Sequence, residues 1–108
     1  GIPIEPVSGL KGNDLSVKTV INKIDDSHLT ISVSNPNNET AFFARLKIMD
    51  PENVLVLPVF LTDNYFTLLP GEEKTVELDL TLSNYSGNRN ELKLVVEGWN
   101  ILPEEIKL

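Results

Sequence analysis

Hydrophobic and polar residues alternate at period two through most of this chain. In LTISVS (29–34), Leu29, Ile31 and Val33 fall on one face and Thr30, Ser32 and Ser34 on the other, the pattern of a strand buried on one side. AFFARLKIMD (41–50) puts Phe42, Ala44, Leu46 and Ile48 together, with Phe43, Arg45, Lys47 and Met49 on the reverse. KTVELDLTL (74–82) sets Val76, Leu78, Leu80 and Leu82 against Glu77, Asp79 and Thr81. LKLVVEGW (92–99) sets Leu92, Leu94 and Val96 against Val95, Glu97 and Trp99. LSVKTVINKI (15–24) alternates less regularly, VLVLPVF (54–60) is almost continuously apolar, and 65–68 has room for a short strand. No window carries a helical period, so the pattern predicts about seven strands.

The segments between them carry turn chemistry. Asn35-Pro36-Asn37-Asn38, Asp50-Pro51-Glu52-Asn53 and Ser86-Gly87-Asn88 supply residues that fix or tolerate turn dihedrals, and Pro70-Gly71 fits the central pair of a type II turn. Short strands with a turn about every ten residues predict an all-β fold, an immunoglobulin-like antiparallel β-sandwich. Pro58 has no N–H to donate, which assigns VLVLPVF to an edge or a bulge. The stretch ahead of Leu15 and the closing PEEIKL (103–108) read as irregular, tail-like segments. With 108 residues and no internal repeat, the chain is expected to form one domain, 1–108, around a single core.

Charge and residue usage remove several functional classes. A formal net charge of -7, with Lys and Arg scattered from Lys11 to Lys107, repels nucleic acid and anionic membrane surfaces alike, so neither is expected as a partner. No apolar run approaches the roughly 18 residues of a membrane span, and no basic-then-apolar leader opens the chain. Starting at Gly1 rather than Met, the chain is expected to be a processed or excised piece. The absence of cysteine excludes disulfides, thiolate metal sites and a cysteine nucleophile. His28, the sole histidine, is expected at the exposed entrance of a strand, and one imidazole leaves catalytic triads and histidine metal sites without their parts.

Most of the 16 carboxylates alternate outward, as Glu77, Asp79 and Glu97 do, or sit in turns, as Asp25, Asp26, Glu72 and Glu73 do, which is the arrangement of a solvated surface. No phosphate loop, nucleophile elbow or dinucleotide fingerprint is present. Asp25 and Asp26 offer oxygens to calcium, although their spacing matches no loop motif. Asn38-Glu39-Thr40 and Asn84-Tyr85-Ser86 satisfy the short N-glycosylation pattern within turns. No cofactor or metal is expected, and no nucleophile, base and orienting group stand at catalytic spacing.

One cluster asks for more. PVFLTDNYFTLLPGE (58–72) gathers Phe60, Tyr65 and Phe66 around Thr62, Asp63 and Asn64, in a chain with only four Phe, two Tyr and one Trp. Flat rings edged by hydrogen-bonding groups suit sugar, so Tyr65, Phe66 and Trp99 beside Asp63 and Asn64 form a candidate binding surface. The structural alternative places Phe60 and Phe66 in the core and has Asp63 and Asn64 close the loop on its own backbone.

NPNNETAFFARLKIMD, then VLPVFLTDNYFTLLPGEEKTVEL, then EGWN resembles the C-terminal immunoglobulin-like domain of glycoside hydrolase family 2 enzymes of the β-mannosidase and exo-β-glucosaminidase type, over residues 29–100. LLPGE is common among bacterial sandwich domains, whereas DNYF directly ahead of it, with GWN closing the last strand, is far more specific. Relatives show Trp-Ser ahead of Asp-Asn-Tyr, where this chain has Leu61 and Thr62, so the hydroxyl is kept and the indole is not. The resemblance implies a non-catalytic module of an exo-glycosidase whose catalytic glutamates lie in a separate barrel. Its implied partners are that barrel and the adjacent sandwich domains of the same parent chain, and its implied location is secreted or periplasmic. Thr62, Asp63, Asn64, Tyr65, Phe66 and Trp99 then become candidates for domain docking or for the rim of the substrate site. The other class is a free-standing carbohydrate-binding or adhesion-type immunoglobulin-like module.

Overall fold

A computed structural model of the chain describes residues 14–56, 65–82 and 85–108. Among the described residues, seven strands form two antiparallel sheets: β1 (Lys18–Lys23), β2 (His28–Ser34), β3 (Ala41–Met49), β4 (Tyr65–Leu68), β5 (Glu73–Asp79), β6 (Lys93–Gly98) and β7 (Ile101–Lys107). One sheet has the order β1-β2-β5 and the other β4-β3-β6-β7. This is the predicted all-β sandwich of immunoglobulin-like architecture.

The alternating positions supply the layer between the sheets. Leu29, Ile31 and Val33 of β2 with Val76 and Leu78 of β5 face Ala44, Leu46 and Ile48 of β3 with Leu94 and Val96 of β6, all buried. Each such Leu, Ile or Val stabilises the fold by about 1.5–3 kcal/mol when fully buried, whereas an exposed ion pair adds about 0–1 kcal/mol. Apolar burial therefore decides the fold. Leu15 is joined to the edge of the four-stranded sheet by its N–H to Asn100 O (2.8 Å) and by Leu102 N–H to its own carbonyl (2.9 Å), and three residues later the chain has entered β1 of the other sheet.

Three expectations are corrected. PEEIKL is no tail: it belongs to β7, which pairs with β6 from Lys93↔Lys107 to Gly98↔Ile101. A register shift between Val96 and Gly98 lets Leu102 and Pro103 stand opposite Glu97 alone, so the proline occupies a bulge on an edge strand, where its missing N–H is tolerated. The alternation assigned to 74–82 ends at Asp79, where the chain turns into a 3-10 segment over Leu80–Leu82. Phe42 does not share the inner face of β3. Between Ala41↔Leu68 and Ala44↔Phe66 the register slips by one residue, so Phe42 and Phe43 both stand opposite Thr67 and both rings reach solvent. Of VLVLPVF, Leu55 makes an isolated bridge to Met49, and 57–60 lie outside the described residues.

The turns behave as their residues predict. Glu72 N–H donates to Leu69 O (2.9 Å) across Pro70-Gly71, and Gly71 takes φ 77°, which a type II turn demands. Asp50 Oδ1 accepts from the N–H groups of Glu52 and Val54, each at 2.8 Å, closing the turn after β3.

Candidate functional site

The outer surface of the four-stranded sheet gathers Phe42, Phe43, Tyr65 and Trp99. β4 contributes Tyr65, the bulge in β3 contributes Phe42 and Phe43, and the turn between β6 and β7 contributes Trp99. Phe43 is 64% exposed, Tyr65 57% and Trp99 67%, so three large rings stand in water rather than in the core. The Phe42 ring meets Trp99 edge-on at 6.0 Å and Phe43 at 6.1 Å, distances at which aromatic pairs attract. A groove of about 380 Å³ runs between Phe43, Arg45, Tyr65, Glu97, Trp99 and Pro103.

Backbone hydrogen bonds fix this arrangement. Trp99 N–H donates to Phe42 O at 3.0 Å. The Asn100 side chain brackets the bulge, its Oδ1 accepting from Phe42 N–H (2.8 Å) and its Nδ2 donating to Thr40 O (2.8 Å). The Phe42 carbonyl oxygen would stand 3.0 Å from a Cβ at Gly98, a position that would also meet the Ile101 side chain, so the backbones approach this closely only because residue 98 is glycine. GWN is thus a clamp: Gly98 permits the approach, Trp99 covers it and Asn100 satisfies the polar groups the bulge leaves unpaired. Phe43 holds φ 55°, a left-handed conformation rare for a bulky residue and one that costs about 1–2 kcal/mol. Backbone strain of this kind concentrates where a side chain is aimed for a purpose.

Charge enters the groove through Arg45. Its guanidinium carbon lies 5.2 Å from the Tyr65 ring centre, within cation–π range. Its cross-strand neighbour Glu97 is engaged instead by Lys47 at 3.1 Å. Arg45 Nε is buried without a hydrogen-bond partner, and among the described residues the guanidinium has no ion pair.

Of the six candidate residues from the sequence, Tyr65 and Trp99 meet across this groove. Phe66 lies on the opposite face of β4 and packs against the core, as in the structural alternative. Thr62, Asp63 and Asn64 lie outside the described residues. Phe42, Phe43, Arg45 and Glu97 were missed, because only cross-strand pairing and the β3 bulge bring them to the site. The adjacent Phe pair beside an Asn-rich turn was the one available signal.

A larger hollow of about 460 Å³ sits at the opposite end of the sandwich, lined by Lys23, Asp25, Asp26, Leu80, Asn88 and Asn90 among others. Among the described residues its lining has no aromatic ring. Asp25 Oδ1 is occupied by the N–H groups of Ser27 and His28, each at 2.8 Å, and by His28 Nδ1, also at 2.8 Å. His28 stands exposed at the first residue of β2, with Nε2 3.3 Å from Asp79 Oδ2. The Asp25 carboxylate holds His28 above its ordinary value, with Asp79 adding to the effect. Backbone and side-chain hydrogen bonds from Ser27 and His28 lower Asp25, and those from Thr81 lower Asp79. Among the described residues no group of three or more His, Cys, Asp or Glu is arranged to hold a metal ion.

An exo-β-D-glucosaminidase of Arthroderma benhamiae is 34% identical over 99 residues, 91% of this chain and 10% of that protein. An exo-β-D-glucosaminidase of Hypocrea jecorina is 33% identical over 79 residues, 73% of this chain and 8% of that protein. The chain therefore spans about a tenth of the length of these relatives. No solved structure matches it significantly. The family model described as the exo-β-D-glucosaminidase Ig-fold domain matches residues 4–101, nearly the whole sandwich, and the chain belongs to that family.

Proposed function

We propose that this chain is the non-catalytic immunoglobulin-like accessory domain of an exo-β-D-glucosaminidase-type glycoside hydrolase, and that it packs through the β4-β3-β6-β7 face against the catalytic barrel or a neighbouring sandwich of the same polypeptide. The relatives' names favour glucosaminides over mannosides as the parent's substrates. The observation that carries the docking role is the outward display of Phe43, Tyr65 and Trp99 on one rigid sheet. Large rings cost solvation free energy in water and are the residues that anchor protein interfaces. Carboxylates on the described strands are solvated or engaged in ion pairs and turns, so the domain's own acids have no part in glycoside cleavage under this reading.

The groove also supports a second reading, a sugar subsite, because its rings are edged by Glu97 and Arg45. One experiment separates the two. Tyr65→Ala with Trp99→Ala is introduced into the full-length protein, which is then followed by calorimetry, by hydrolysis of an aryl β-glucosaminide and by titration with glucosamine oligosaccharides. Docking predicts that the melting of this domain uncouples from the rest. A sugar subsite predicts intact melting with weakened oligosaccharide binding. Unchanged melting, kinetics and binding would overturn both.

A further inference from the structure

We propose that the groove of the four-stranded sheet receives a carboxylate-bearing loop from the domain that packs on it, with the Asp or Glu side chain ion-paired to Arg45 between the rings of Tyr65, Phe43 and Trp99. This rests on the docking reading above and gives it a chemistry. Arg45 projects from the middle of the exposed aromatic face, with its guanidinium over Tyr65. Glu97, the acid placed by register to neutralise it, is drawn to Lys47. Nε, a donor fixed in the guanidinium plane, is buried and unpartnered. An uncompensated buried donor is costly unless a partner completes it, and a guanidinium fork matches a carboxylate with two parallel hydrogen bonds.

The surrounding charge points the same way. In a chain of formal net charge -7, an arginine set among aromatic side chains with no ion pair among the described residues is the local exception. Of the other described cations on this sheet, Lys47 and Lys93 are each paired to a glutamate, and Lys107 lies at the far end of β7, away from the groove. A basic partner loop would meet no free acid among the described residues of the groove, and a purely apolar loop would bury the rest of the guanidinium as well, with nothing to accept from it. The aromatic rim would exclude water around the pair and so strengthen it, as the surround of an interface anchor does.

The test uses the full-length protein carrying Arg45→Met, Arg45→Glu, Arg45→Lys, Asp63→Asn or Trp99→Ala, with docking read as the rate of limited proteolysis at the junction preceding this domain. Met keeps an apolar stem over Tyr65 and removes the guanidinium's charge together with its N–H donors. A carboxylate partner predicts that Arg45→Met raises cleavage about tenfold or more, that Arg45→Glu raises it further and that Arg45→Lys recovers part of the loss. It also predicts that added salt moves the wild type toward Arg45→Met while leaving that variant unchanged. Second-site suppressors of Arg45→Glu should then replace an Asp or Glu elsewhere in the polypeptide with Lys or Arg. If Trp99→Ala raises cleavage but Arg45→Met does not, docking stands and the carboxylate is overturned. If neither raises it, the docking reading falls as well. Equal, non-additive effects of Asp63→Asn and Arg45→Met would mean that the partner is this chain's own Asp63, which also overturns the proposal.

Discussion

Asn35 has no solvent contact and no hydrogen-bonding group to spare. Its Nδ2 donates to Glu39 O (2.7 Å) and Leu68 O (3.0 Å), and its Oδ1 accepts from the Asn37 backbone (3.0 Å) and side chain (2.8 Å). Its main chain donates to Glu72 O (2.9 Å) and accepts from Gly71 N–H (2.7 Å). One residue thereby joins the loop after β2 to the end of β4 through its side chain and to the Pro-Gly turn through its main chain, so the NPNN and LLPGE segments form one corner of the sandwich. Removing the amide strands the Leu68 carbonyl in a buried place and takes the partner from the part-buried Glu39 carbonyl and Asn37 N–H. Asn35→Ala should cost about 2–4 kcal/mol in denaturant unfolding, and a loss below about 0.5 kcal/mol, the scale of a surface change, would show that water replaces the amide freely. Proximity to Pro36 marked Asn35 as a turn residue in the sequence. Its burial was not legible there, because its partners Leu68 and Glu72 lie more than thirty positions away.

At the scale of strands, alternation located β2, β3, β5 and β6 because each buries one face against a single core. It failed on β7, an edge strand on which the consecutive Glu104 and Glu105 are both exposed, so neither face reads as apolar, and whose parity is broken at Leu102 and Pro103. It failed on Phe42 for the same reason: one extra residue in β3 reverses the faces of everything before it. Part of the site was legible, since Tyr65 and Trp99 stood out by type. Arg45 and Phe43 are ordinary strand residues until β3 meets β4 and β6. The two turn glycines show how differently such positions are constrained. Gly71 has no atom near a prospective Cβ but holds φ 77°, whereas Gly98 is crowded by the Phe42 carbonyl and Ile101. Gly71→Ala should cost about 1–2 kcal/mol and leave the near-UV circular dichroism of the single tryptophan unchanged. Gly98→Ala should cost about 1–3 kcal/mol and alter that signal, because relief of the clash shifts Trp99 away from Phe42. An unaltered Trp99 spectrum in Gly98→Ala would refute the clamp.

For the whole molecule, one pH-sensitive cluster among the described residues lies at the end of the sandwich remote from the aromatic face. His28 ties the turn before β2, through Asp25, to the end of β5, through Asp79, with 2.8 Å and 3.3 Å contacts. Its protonated form is favoured in the folded state, chiefly by the hydrogen bond to Asp25, so its value lies above the ordinary 6.5. That contribution is complete below 6.5 and fades as pH rises through the folded value. Asp25 and Asp79 are lowered from 3.8, the first mainly by the Ser27 N–H and the second by Thr81, so their contributions are complete above 3.8 and fade as pH falls through their folded values. The three act together only between these limits. His28→Gln should therefore lower Tm at about pH 5.5, and the difference from the wild type should shrink as pH rises toward about 8.5 and the imidazole loses its charge. A Tm difference of the same size at both pH values would mean that His28 acts through packing and neutral hydrogen bonds, and the pH dependence would have to be sought among the domain's other charges.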